Sequence, residues 1–140
     1  LHLDFRRQRQ MCIRDRYSAG SSLAELHGQA TPRSAFSTST SAGQEDHVSM
    51  GATAAWNLLV GVRRLSEVLA CELLIACESL RHAPLKSSPH VEGLVALVRT
   101  IAEPLNGDRT TSKELRKLAA TLMNGGWLAR LEAEHGRLPR

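Results

Sequence analysis

The sequence predicts an all-α protein, in which a long central helix of a helical bundle is followed by shorter C-terminal helices. Three observations carry this. Apolar residues recur at steps of three and four from about Asp46 to Arg81, two shorter runs of the same period follow a proline-rich break, and no alternating strand pattern of any length occurs. At 140 residues the chain fits one domain.

Residues 1 to 18 stand apart. The chain opens on Leu1 rather than Met, Met11-Cys12-Ile13-Arg14-Asp15-Arg16 resembles translated sequencing-adapter sequence, and an artefactual or disordered tail is expected there. Residues 19 to 43 are rich in Ser, Thr, Ala and Gly and predict a short helix over Ser22 to Gly28, ended by Pro32, and then a polar loop. Residues 44 to 140 form the helical remainder.

In the long helix, Ala55, Leu58, Leu59, Val62, Leu65, Leu69, Leu73, Ala76, Cys77 and Leu80 make one face. Val60, Val68, Cys71 and Ile75 fall on the other side, among Thr53, Asn57, Arg64, Glu67 and Glu78. Nineteen of the thirty residues from Gly51 to Leu80 are apolar, more than one buried stripe requires, so several partner helices should enclose this element. Arg63 and Glu67, spaced i,i+4, predict a surface or inter-helix ion pair.

The breaker runs from His82 to Pro89, and its flanking His82 and His90 are expected to face solvent. A second helix follows on Val91, Leu94, Val95, Val98, Ile101 and Ala102 and ends at Glu103-Pro104. After a turn at Asn106-Gly107-Asp108, Thr111 with Glu114 three residues on reads as a capping box opening a third helix. Its apolar face is Leu115, Leu118, Ala119, Leu122 and Met123, and Asn124-Gly125-Gly126 stops it. A last helix from Trp127 to Glu134 should dock through Trp127, Leu128 and Leu131.

Composition excludes several classes. The net charge of +4 rests on residues 1 to 16, where five arginines face only Asp4 and Asp15, so the folded part offers no basic surface for phosphates. Nucleic acid is not an expected partner. Arg63, Arg64, Glu67, Glu72 and Glu78 interrupt the one long apolar stretch, which argues against a membrane span. Three cysteines, Cys12, Cys71 and Cys77, make no disulfide framework and read as reduced thiols of a cytoplasmic protein, the last two buried and inert in the long helix.

Chemistry points to the polar run Ser37-Thr38-Ser39-Thr40-Ser41-Ala42-Gly43-Gln44-Glu45-Asp46-His47-Val48-Ser49-Met50-Gly51, which leads straight into the long helix. Its hydroxyl residues and Gly43 suit a tight, hydrogen-bonded loop. Glu45 and Asp46 are expected in an acidic first turn that complements the helix dipole, with Asp46 and His47 as cap and neighbouring hydrogen-bonding residue. Three consecutive helical residues fan out by about 100° each, so Glu45, Asp46 and His47 do not converge on a metal ion, and no metal site is expected.

The stretch from Thr40 to Gly51 resembles the aromatic amino acid lyases, and most closely their histidine ammonia-lyase branch. Val68-Leu69-Ala70-Cys71-Glu72-Leu73-Leu74 is similar to the family's run in the long helix, and Asp108-Arg109 with a final helix pair is similar to its C-terminal region. The resemblance implies a C-terminal fragment of a cytoplasmic homotetramer, with L-histidine as the small-molecule substrate and urocanate and ammonia as products. It implies that Glu45 faces the substrate ring as a binding and catalytic residue, with Gln44 a weaker candidate for the same pocket. A carboxylate there accepts an imidazole N–H, whereas a phenyl ring would leave it unpaired.

The family's cofactor is an electrophilic methylidene-imidazolone formed by cyclisation of an internal Ala-Ser-Gly, and this chain contains none. Ser41-Ala42-Gly43 and Ser18-Ala19-Gly20 have the letters in the wrong order, and the only tyrosine, Tyr17, matches no catalytic tyrosine. The chain alone is therefore expected to bind no cofactor and to be inactive. The alternatives are a phenylalanine or tyrosine ammonia-lyase or aminomutase of the same fold, and a non-enzymatic helical interaction module.

Overall fold

The computed structural model of the chain describes residues 17–84, 86–107 and 109–137. Residues 17–29 are helical (α1), and two 3-10 turns follow at Arg33–Phe36 and Ser41–Gly43. The chain then forms α2 (Gly51–Leu80), α3 (Pro89–Arg99), α4 (Ser112–Met123) and α5 (Gly126–His135). Among the described residues the one extended pairing is an isolated bridge between Thr40 and Glu45. The protein is all-α, as the periodicity predicts. Of the expected tail, Tyr17 and Ser18 belong to α1, and Cys12 and the other residues up to Arg16 lie outside the described residues.

α2 is a rod of about 45 Å, at about 1.5 Å per residue over its thirty residues. It begins at Gly51, not near Asp46, because the backbone upstream is already committed. The Ser37 hydroxyl donates to Val48 O and accepts from Val48 N, both at 3.0 Å, which holds Val48 in the preceding loop. The helix therefore opens at Met50, with the Ser49 hydroxyl accepting from Gly51 N at 3.3 Å.

The core sits against the C-terminal half of α2. Ala70, Leu74 and Cys77 meet Val98 of α3, Ala102 just beyond it, and Leu118 and Ala119 of α4, with Leu73, Val95, Ile101, Leu115, Leu122 and Trp127 packed around them. The buried stripe of α2 is Ser66, Ala70, Cys71, Leu74, Cys77 and Glu78. The predicted face is a different one over the first five turns: Leu58 is 69% exposed, and Leu59, Val62, Leu65 and Leu69 are also exposed. Both sides of α2 are apolar, and the side that is covered is decided by where α3, α4 and α5 fall.

Local signals account for the shorter helices. Pro89 occupies the first turn of α3, where its missing N–H costs nothing, and the Ser88 hydroxyl caps Val91 N at 3.4 Å. Gly125, at φ +67°, makes the left-handed turn between α4 and α5 that the Asn-Gly-Gly signal predicts. The capping box at Thr111 is not closed, because the Glu114 carboxylate is taken by Arg109 Nη1 at 2.6 Å. In α5, Leu131 is buried and Trp127 packs on the core, while Leu128 is 53% exposed and does not dock.

Polar ties fix the elements to one another. α1 is held by the Ser22 hydroxyl donating to Glu67 Oε2 at 3.0 Å and by Arg64 Nε at 2.6 Å from Glu25. Arg64, not Arg63, is the partner of Glu67, because its one-residue offset turns it toward α1. Glu78, at the far end of α2, meets Arg81 Nη1 at 2.8 Å and Arg99 Nη2 at 2.7 Å, and Arg81 reaches on to Leu105 O and the Asn106 side chain. His82 is exposed as expected. His90 is not free in solvent: its ring lies 5.7 Å from that of His135, and its Nε2 is 3.0 Å from Gly136 O.

Candidate functional site

The loop that carries Glu45 is closed by two polar rungs. The outer rung is Ser37 with Val48, described above. The inner rung is Thr40 with Glu45: Thr40 N donates to Glu45 O at 3.1 Å, Glu45 N donates to Thr40 O at 3.3 Å, and the Thr40 hydroxyl donates to Glu45 Oε2 at 2.9 Å. Thr40 O also accepts from Gly43 N at 3.1 Å, and Ser41 O from Gln44 N at 3.2 Å.

Closing so short a loop demands left-handed backbone. Ser41, Ala42 and Gly43 have φ of +52°, +55° and +87° in succession. Gly43 accepts this freely, whereas each of the two residues with a Cβ pays about 1–2 kcal/mol. Ser41-Ala42-Gly43 is therefore spent as the turn that brings Thr40 onto Glu45.

The sequence places Glu45 in a helix turn, and the structure corrects this. Glu45 lies six residues ahead of the first residue of α2, and no acidic residue occupies that helix's first turn. Asp46 is likewise no cap, since Met50 holds that position, and His47 is an exposed loop residue. The charge on Glu45 is thus met by the Thr40 hydroxyl and by solvent rather than by a helix dipole. Gln44 is exposed beside it, its backbone N–H holding the turn. The residues that sequence reasoning missed as holders of the loop are Ser37 and Thr40; their signal was the density of hydroxyls before Gln44.

A cleft of about 490 Å³ lies between α1 and α2, lined by Leu26, Gln29, Arg33, Asn57, Gly61 and Leu65 among others, and Glu45 is not part of its wall. Cys71 and Cys77 are buried, and burial pushes the Cys77 thiol up, which keeps it protonated. Among the described residues no three His, Cys, Asp or Glu side chains are grouped to hold a metal ion, and no helix is long and apolar enough to cross a membrane.

The sequence profile described as aromatic amino acid lyase matches residues 10–100, a stretch that contains the Glu45 loop and all of α2. The chain belongs to the aromatic amino acid lyase family. Its relatives within that family include the histidine ammonia-lyase of Symbiobacterium thermophilum, 38% identical over 123 residues that make up 87% of this chain and 24% of the relative. The histidine ammonia-lyase of Caenorhabditis elegans is 42% identical over 98 residues, 69% of this chain and 14% of the relative. The crystal structure of histidine ammonia-lyase from Trypanosoma cruzi superposes with a TM-score of 0.75 at 32% identity, over 83% of this chain and 23% of that one. The chain thus spans about a quarter or less of the length of these lyases. The match in three dimensions places the all-α arrangement within the family's helical fold.

Proposed function

We propose that this chain is the C-terminal part of a histidine ammonia-lyase, which eliminates ammonia from L-histidine without oxidation to give urocanate. The observation that carries the reading is Glu45, an exposed carboxylate held by its own loop in the stretch Thr40–Gly51. An imidazole ring brings an N–H that this carboxylate accepts, and enclosure of the pair in a binding pocket favours that ring over a phenyl by a few kcal/mol. Gln44, next to it on the loop, contributes to the same pocket. Glu45 orients the ring of the bound amino acid, and its proton chemistry is secondary to that role.

The elimination needs an electrophile, because the amine leaves poorly until it is bonded to an electron sink. These 140 residues do not fit the methylidene-imidazolone of the family: they hold no Ala-Ser-Gly, and Ser41-Ala42-Gly43 is occupied in the turn under Glu45. The electrophile therefore comes from residues outside this chain, and the chain by itself is inactive. The apolar side of α2 around Leu58, Leu59, Val62 and Leu65, open here, is covered in our reading by the remaining helices of a cytoplasmic homotetramer.

Urocanate absorbance tests the proposal in two arms. A full-length protein carrying this sequence should convert L-histidine to urocanate, and the 140-residue chain alone should not. Failure of the longer protein to release urocanate, or turnover by the isolated chain, overturns the reading.

A further inference from the structure

Resting on the reading just given, we infer that Thr40 is a positioning residue for Glu45, fixing which carboxylate oxygen is offered to the substrate ring. Thr40 reaches Glu45 three times, and only one contact involves the carboxylate: the hydroxyl donates to Oε2 at 2.9 Å. The two backbone bonds, at 3.1 and 3.3 Å, set the register that makes this contact possible. No described residue donates to Oε1, so that oxygen keeps both of its lone-pair sites for an N–H from a ligand, against one left on Oε2. A glutamate on an exposed loop otherwise samples many rotamers, and a ligand that must order it loses affinity. Tying one oxygen to a neighbour on the same rigid turn prepays that ordering. The left-handed run Ser41-Ala42-Gly43 serves the same end, because it turns the chain back so that Thr40 meets Glu45.

The test uses the full-length protein and three variants, read by KM and kcat for L-histidine. Thr40→Val keeps the shape and removes the donor. It should raise KM about tenfold, the scale of one hydrogen bond to a charged group, with a smaller change in kcat. Thr40→Ser restores the donor and should restore most of the affinity. Added to Glu45→Gln, Thr40→Val should change KM little further, because the group it acts through is altered. Equal KM for the Val and Ser variants overturns the inference. So does a Thr40→Val effect of the same size in both the native and Glu45→Gln backgrounds, which is what a merely structural threonine gives. Absence of turnover in the unmodified full-length protein instead rejects the function itself, and the two failures are therefore told apart.

Discussion

Thr40 and Glu45 form a closed pair at the neck of a six-residue loop, joined by two backbone hydrogen bonds and by the threonine hydroxyl on Glu45 Oε2 at 2.9 Å. A charge displayed this way owes nothing to the long helix behind it. The loop supplies its own hydrogen bonds, which hold Glu45 in register with Thr40 while it stands in solvent.

Replacing Glu45 by Gln in the full-length protein should lower kcat/KM for L-histidine on the order of a hundredfold, as an N–H that met a carboxylate meets a neutral amide. Steady-state kinetics measure this. A change within a factor of two places Glu45 outside the substrate pocket.

The cost of the loop is stored at Ala42, whose φ of +55° a β-branched side chain tolerates poorly. Ala42→Val should destabilise the loop by about 1–2 kcal/mol, visible as faster amide exchange at Glu45 and Gly43, whose N–H groups bond to Thr40 O. Ala42→Gly should leave exchange at those amides unchanged or slower. Identical exchange in both variants contradicts the strain argument.

Periodicity and breakers made the four C-terminal helices legible, since Pro89 and the glycines at 125 and 126 act through local backbone chemistry. The side of α2 that would be covered was not legible. Leu58 and Leu74 are equally apolar in sequence, and only the placement of α3 and α4 buries one and leaves the other open. Glu45 could be singled out by its surroundings in the sequence, and the hydroxyls before it signalled a hydrogen-bonded loop, yet which of them meets it was not legible: Thr40 does so through a turn with left-handed serine and alanine, a conformation that no residue preference announces. The same holds for the Arg64 bond to Glu25 and for Glu114 with Arg109, pairs chosen by neighbouring segments rather than by helix spacing.

Gly93 is where α3 admits the end of α5. A Cβ at this position would overlap the His135 ring and stand 3.1 Å from Leu131 Cδ2. Gly93→Ala should therefore loosen α5 at a cost of about 1–3 kcal/mol, seen as a lower thermal midpoint and earlier tryptic cleavage at Arg130. Combining it with His135→Ala should recover much of the loss, because the ring that blocks the methyl is gone. A double variant no more stable than Gly93→Ala alone would show that the clash is absorbed elsewhere.

Glu78 ties α2 to Arg99, the last residue of α3, and its ionisation makes that tie depend on pH. Burial pushes its carboxyl up, but hydrogen bonds from Arg81 and Arg99, with the charge of Arg99, outweigh burial and hold it below the ordinary glutamate value of 4.5. A carboxyl whose folded value lies below its unfolded one adds stability that is complete above about pH 4.5 and is lost as pH falls through the folded value. Glu78→Gln should flatten stability against pH in that acid window and, by leaving Arg99 under-compensated, cost about 2–4 kcal/mol at neutral pH. Urea titrations from pH 3 to 7 decide it, and parallel curves for the two proteins would remove Glu78 from the acid transition.

The two sides of α2 make opposite demands, and substitution separates them. Leu74 is fully buried among Val98, Ala102 and Leu118, so Leu74→Ala should cost about 2–5 kcal/mol. Leu58 and Leu65, 69% and 48% exposed, contribute little to the packing of this chain. Leu58→Glu with Leu65→Glu should leave the thermal midpoint of the 140-residue chain within a degree or two and reduce its self-association, measured by sedimentation. In a full-length lyase the same pair should do the reverse. There the charges would enter an apolar interface, lowering the assembled fraction and urocanate production together. Retention of the native assembly by that double variant would mean that this side of α2 faces water in the complete protein as well.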